Sequence, residues 1–236
     1  MRSARHRWSP LQPRVRGAVF LVGLATTIPL LPSVLPRASA AGQGARGAVE
    51  GRVVLSSTAN ARSVDRYASG TGEPREIQSV PVVVYLEGPV PGAPPARPSG
   101  ATELVQRGQA FSSTALVVPV GTQVSFPNAD PLFHNVFSYS RAKRFDLGRY
   151  RQGESKTVVF DRPGYVKVMC EVHKWMRTAV VVVENPYYAV VPASGQFRID
   201  GIPPGRYQLA VEHFDRRTRV DVEVPAGGVA RADLRL

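Results

Sequence analysis

Apolar residues along this chain come in short runs rich in Val, Tyr and Phe, separated by breaks rich in Gly and Pro. Runs of that length bounded by turn residues predict β-strands. Strands are expected at 51–56, 80–86, 113–118, 122–126, 155–160, 164–169, 178–184, 195–199, 205–212, 218–224 and 229–236. No stretch sustains the period of an amphipathic helix, which argues against an α/β fold and for an all-β class. Two segments interrupt the pattern. One is the polar stretch 58–75; the other is 88–100, GPVPGAPPARPSG, whose prolines and glycines cannot supply a sheet ladder. The second marks a domain boundary, and 101–186 beyond it forms a compact set of strands.

The first forty residues follow a different pattern. Arg2, Arg5, Arg7, Arg14 and Arg16 precede an apolar stretch over 18–35, and Ala38-Ser39-Ala40 supplies a small-x-small ending. These are the three regions of a secretory signal peptide, so 1–40 is expected to be removed on export across the inner membrane. An uncleaved anchor needs about 20 apolar residues, and Pro29, Pro32 and Pro36 argue against one. The expected location is periplasmic or extracellular, with no transmembrane segment after cleavage. A lipid anchor on an N-terminal cysteine is excluded, because Cys170 is the single cysteine. The formal charge of the full chain is +12; removing six arginines, the five above and Arg37, with no acids, leaves +6. That remainder suits steering toward an acidic partner protein. No basic run interleaved with aromatics points to nucleic acid.

An exported chain with one thiol cannot pair it internally. Cys170 is then buried and inert, held by a metal, or used as a nucleophile, and its neighbours have to decide. In 164–176, GYVKVMCEVHKWM, the residues Cys170, His173 and Met176 follow at three-residue steps in one loop after a predicted strand. A thiolate, two imidazoles and a weak axial thioether are the donor set that suits copper, since soft sulfur holds Cu(I) and nitrogen also accepts Cu(II). The second imidazole should come from a neighbouring strand. His134 stands 36 positions before Cys170, within FPNADPLFHNVFSYS at 126–140. Of the other two histidines, His6 lies in the signal region and His213 in a tail strand without a ligand-type neighbour. A nucleophile and base made of Cys170 and His173 would lack an orienting group and an oxyanion loop, and such pairs are usually distant in sequence. A metal with only protein ligands leaves no open position for substrate. The chain is accordingly expected not to be an enzyme.

Taken together these marks resemble the cupredoxin family of small blue copper proteins, which includes plastocyanin, pseudoazurin and amicyanin. The matching residues are VPVGTQVSF at 118–126, Asn128 and Asp130, His134-Asn135-Val136, Pro163-Gly164 ahead of Cys170, and the Cys170, His173, Met176 series. They span 101–185, and the short step from His173 to Met176 is most like amicyanin. The resemblance implies a Greek-key β-sandwich or barrel holding one copper that cycles between Cu(I) and Cu(II). His134, Cys170 and His173 are its implied equatorial ligands and Met176 its implied axial one. Asn135 is implied to tie the first histidine's loop to the cysteine loop, with its N–H directed at the Cys170 sulfur. In related proteins the second loop histidine presents its ring edge at an apolar surface. Phe133 and Trp175 are candidates for that electron-transfer surface, the other reading being that both seal the loop from within. The departures are Phe133, where proline often precedes the histidine, and the long segment 138–153.

The flanks carry a second pattern: VPVVVYLEG at 80–88, then Gly195, Phe197, Ile199, Gly201, Pro203, Pro204, Gly205, Tyr207 and Leu209 in the tail. They resemble the carboxypeptidase regulatory-like, or transthyretin-like, sandwich. The resemblance implies that 45–88 with 187–236 forms a second, small, discontinuous β-sandwich, and that the copper domain at 101–186 is inserted after a linker at 89–100. The alternative is that the amino-terminal strands extend the copper domain's own sheet.

The implied function is that of an exported type 1 (blue) copper protein carrying single electrons between redox partner proteins. The alternatives are copper binding and delivery, or a non-redox adaptor. Delivery commonly uses an exposed Met- or His-rich run, and none occurs here.

Overall fold

The computed structural model describes residues 45–55, 64–65, 75–97 and 102–236, all within one compact unit. The expected signal segment, most of the 58–75 connector and the end of the 88–100 run lie outside the described residues. The described chain is all-β and contains no helix, hence none long and apolar enough to cross a membrane.

The chain enters through β1 (Gly47–Val54), two short strands β2 (Val64–Asp65) and β3 (Arg75–Glu76), and β4 (Val83–Leu86). A central block follows: β5 (Gln106–Arg107), β6 (Ala110–Phe111), β7 (Ala115–Pro119), β8 (Thr122–Pro127), β9 (His134–Tyr139), β10 (Arg144–Tyr150), β11 (Ser155–Phe160), β12 (Gly164–Cys170) and β13 (Arg177–Val183). The tail adds β14 (Tyr188–Val190), β15 (Gln196–Ile202), β16 (Gly205–His213), β17 (Arg216–Val224), β18 (Val229–Arg231) and β19 (Leu234–Arg235).

Entry and tail strands pair with each other. β1 runs antiparallel to β15 and parallel to β18 and β19, while β4 lies between β14 and β16, with β17 outermost. The two sheets close over Val49, Val84, Phe197, Ile199, Leu209 and Val211 to form the flanking sandwich. Gly51 is fixed by this packing, because a Cβ there would lie 1.9 Å from the Ala232 carbonyl oxygen. β1 and β4 therefore do not extend the central sheets.

The central block forms its own sandwich. Its five-stranded sheet runs β10-β9-β12-β13-β7, with β7 parallel to β13, and the β8–β11 pair makes the opposing layer. Val118, Val136, Val166, Val168, Val180 and Val182 meet Val124, Phe126 and Phe160 between them.

Two uninterrupted apolar runs join the sandwiches. In β4, Val84 and Leu86 face the flanking core while Val83 and Tyr85 face outward; in β13, Val180 and Val182 face the central core while Val181 and Val183 face outward. The outward sets pack together with Val117 and Ala210 in a third cluster. Strands buried on both faces read as continuous rather than alternating hydrophobicity, which is what these two runs show. At about 1.5–3 kcal/mol for each buried Val, this shared layer welds the two sandwiches into one body.

Candidate metal centre

The end of the central sandwich where β9 begins and β12 finishes is where the chemistry converges. β9 and β12 are antiparallel with Cys170 opposite Val136, so His134 and the thiol arrive at the same edge from facing strands. The chain then turns and enters β13 at Arg177. Within the turn the Met176 N–H donates to the His173 carbonyl at 3.0 Å, and the Cys170 N–H donates to the Met176 carbonyl at 3.2 Å. That closure folds His173 back over Cys170. Met176 returns into the core and is fully buried.

Cys170, His134 and His173 are 2, 0 and 7 % exposed. The Cys170 Sγ lies 3.6 Å from the His134 Nδ1 and 3.8 Å from the His173 Nδ1, and the two Nδ1 atoms are 3.0 Å apart. A triangle with those sides has a circumscribed radius of about 2.0 Å, close to the roughly 2.0–2.3 Å that imidazole nitrogen and thiolate keep from a zinc ion of similar size. These are the three side chains among the described residues that group as a potential metal site. The donor set is one soft sulfur and two imidazoles with no carboxylate oxygen, which fits copper and disfavours magnesium or calcium.

The loop before His134 is held by Asn128, whose Nδ2 donates to the carbonyls of Leu132 (2.8 Å) and Tyr150 (3.1 Å) and whose Oδ1 accepts from the Asp130 N–H (2.9 Å). Asn128 thereby turns the Asp130 side chain under the histidine. The Oδ2 of Asp130 is 2.8 Å from the His134 Nε2. Burial pushes the Asp130 pKa up, but hydrogen bonds from the Gln109 N–H, the His134 ring and the Gly108 N–H outweigh it and hold the carboxyl below the usual range. An ionised carboxylate only accepts. The Nε2 edge of His134 is therefore the donor in this contact, and its Nδ1 edge faces the thiol. The N-x-D spacing ahead of His134 was visible in the sequence, but nothing there assigned Asp130 to the imidazole rather than to its own loop.

The two aromatic candidates part company. Trp175 is not a surface residue: it is 5 % exposed, because its Nε1–H finds the Gln109 carbonyl inside at 3.1 Å and its ring lies against that of His173, with centroids 5.2 Å apart. Phe133, by contrast, is 57 % exposed, and Leu132 and Val172 on the same two loops are also exposed. Asn135 links the two loops through Glu171, the residue that follows Cys170. Its carbonyl accepts from the Glu171 N–H at 3.0 Å and its Nδ2 donates to the Glu171 carboxylate at 3.0 Å, since the register sets Cys170 opposite Val136 and leaves Asn135 facing the next residue.

A contact that no motif announced comes from Gln78, in the lead-in to β4. Its N–H donates to the Trp175 carbonyl at 2.9 Å, and its side chain exchanges hydrogen bonds of 2.9 and 3.2 Å with the Phe111 backbone. The loop that carries Cys170 and His173 is thus braced by a residue from outside the central block.

No family model matches the chain, and no curated protein matches it. Among solved structures it is similar to a copper-containing nitrite reductase from Thermus scotoductus SA-01, at 24% identity over 42% of this chain and 25% of that one, with a TM-score of 0.34. It is similar to a purple cupredoxin from Nitrosopumilus maritimus, at 26% identity over 35% of this chain and 99% of that one, with a TM-score of 0.32. A mutant amicyanin in its Cu(I) form is 22% identical over 38% of this chain and 95% of that one, with a TM-score of 0.32. The chain spans 25% of the nitrite reductase's length.

Proposed function

We propose that this chain is an exported type 1 copper protein that carries single electrons between redox partners and catalyses no reaction of its own. The observation that supports this most is the buried triangle of one thiol and two imidazole nitrogens, each about 2.0 Å from a common centre. In this reading His134, Cys170 and His173 are the equatorial ligands and Met176 the weak axial one. Copper bound there would supply a one-electron change between Cu(II) and Cu(I). The protein's part is to keep the donors still. The backbone closure around 170–176, the Asp130 contact to His134 and the Trp175 contact to His173 each fix one donor, so little rearrangement accompanies a change of charge.

Burial of all three donors excludes water from the centre. His173 is the more exposed of the two imidazoles, and the loops around it expose Leu132, Phe133 and Val172. We read this apolar face as the docking site for a partner protein, with electrons passing through the His173 ring. An acidic partner suits the +6 charge of residues 41–236. The division into a copper domain at 101–186 and a regulatory-like sandwich at 45–88 with 187–236 belongs to the same reading, with the latter as scaffold.

Cyclic voltammetry of the copper-loaded protein, together with copper retention against a mild chelator, tests the proposal. A reversible one-electron wave from copper that resists the chelator is expected. An irreversible response from copper that exchanges freely would overturn it in favour of delivery.

A further inference from the structure

The Asp130 carboxylate occupies a built receptacle. β5 and β6 are joined by Gly108 and Gln109, at φ +62° and +58°, the left-handed pair of a type I′ turn. Gly108 adopts that conformation freely, whereas a non-glycine residue there is uncommon and costs conformational energy. The consequence is local and specific: both N–H groups point at Asp130, Gly108 to Oδ1 and Gln109 to Oδ2 at 2.8 Å. The same Oδ2 meets the His134 Nε2 at 2.8 Å, and both side chains are nearly inaccessible to solvent. The turn also offers the Gln109 carbonyl to Trp175, which lies against the other imidazole. A capping role alone would need neither the contact to the ring nor a strained glutamine.

We propose that Asp130 is a positioning residue that tunes the centre, its negative charge and its hydrogen bond making the His134 imidazole a stronger electron donor and lowering the reduction potential of bound copper. A carboxylate behind a ligating histidine fixes the tautomer, orients the ring and raises ligand basicity. Greater donor strength and a nearby negative charge both favour Cu(II) over Cu(I), so the two effects share one sign. The proposal rests on the copper reading above.

The test compares the midpoint potential of the copper-loaded wild-type chain with that of Asp130→Asn, which keeps the shape and removes the charge. The expected result is a retained thiolate-to-copper absorption band with the potential shifted upward. A retained band with an unchanged or lowered potential overturns the proposal. If Asp130→Asn fails to hold copper, ¹⁵N NMR of the wild-type Cu(I) protein decides: a slowly exchanging proton on the His134 Nε2 supports the carboxylate contact, and a rapidly exchanging one overturns it. Absence of the band from the wild-type chain itself would instead count against the copper reading.

Discussion

In the flanking sandwich the space between the sheets is filled by Val, Ile, Leu, Phe and Tyr, and its buried polar residues stand outside that space. Asn185 ties off the carbonyls of Leu86 and Gly88, and Glu212 lies on the far face of β16 beside Tyr85. The central sandwich has a comparable apolar interior at one end, but at the other it buries Gln106, Asn128, Asp130, His134, Asn135 and His173. A buried polar group left unpaired costs about 1–3 kcal/mol, so gathering several at one end is expensive unless they are paired. Most are paired here, although the Gln106 Oε1 and Asn135 Oδ1 have no partner. These buried polar groups and the candidate metal site are thus gathered at one end of one of the two sandwiches. The shared valine layer lets the flanking sandwich support the central one.

The hardest blow to this comparison would fall on the shared layer. Val181 is fully buried there, and Val181→Asp would place an unpaired charge between the sandwiches. A loss on the order of 4 kcal/mol or more is expected, with both sandwiches unfolding in one transition. Two transitions in calorimetry, with only one of them shifted, would show that the sandwiches are not welded.

A smaller effect separates chemistry from packing within the central core. Met176→Leu is nearly volume-conserving, so a stability change under about 1.5 kcal/mol is expected, while the potential of bound copper should rise as the weak axial sulfur is lost. A large loss of stability with no change in potential would make Met176 a packing residue.

The smallest effect concerns His213 at the end of β16. Burial, reinforced by Arg216 and Arg177, holds its pKa below the ordinary 6.5 despite a hydrogen bond with the Val80 backbone and the nearby Asp215. The folded chain therefore resists protonating this ring. Above 6.5 both states are neutral; as pH falls below 6.5 the unfolded chain takes the proton first and stability declines, levelling off below the folded-state value. His213→Gln should flatten that part of the urea-midpoint profile, and an identical slope would remove His213 from the account.

The legible parts of the molecule were those where one residue type has one physical use. The proposed ligands at 134, 170, 173 and 176 and most strands stand out in the sequence, and the expected 155–160 coincides with β11. β10 did not. It is an edge strand with a register shift between Asp146 and Arg149 and mostly non-buried residues, so Arg144, Asp146 and Arg149 mask it, as charged edges do. β9 was hidden because HNVFSY reads as a ligand loop, although it begins at His134 itself. Asp130 and Gln78 act through contacts between distant segments, which no local pattern reports. Trp175 was ambiguous for the same reason, since only the position of the Gln109 carbonyl decides which way its indole faces.

The most direct test of the central claim is the visible absorption and electron paramagnetic resonance spectrum of the protein with one equivalent of Cu(II), beside a Cys170→Ala control. The account predicts an intense thiolate-to-copper band with a narrow copper hyperfine splitting, both lost in the control. A colourless protein, or a spectrum unchanged by removing Cys170, would contradict it.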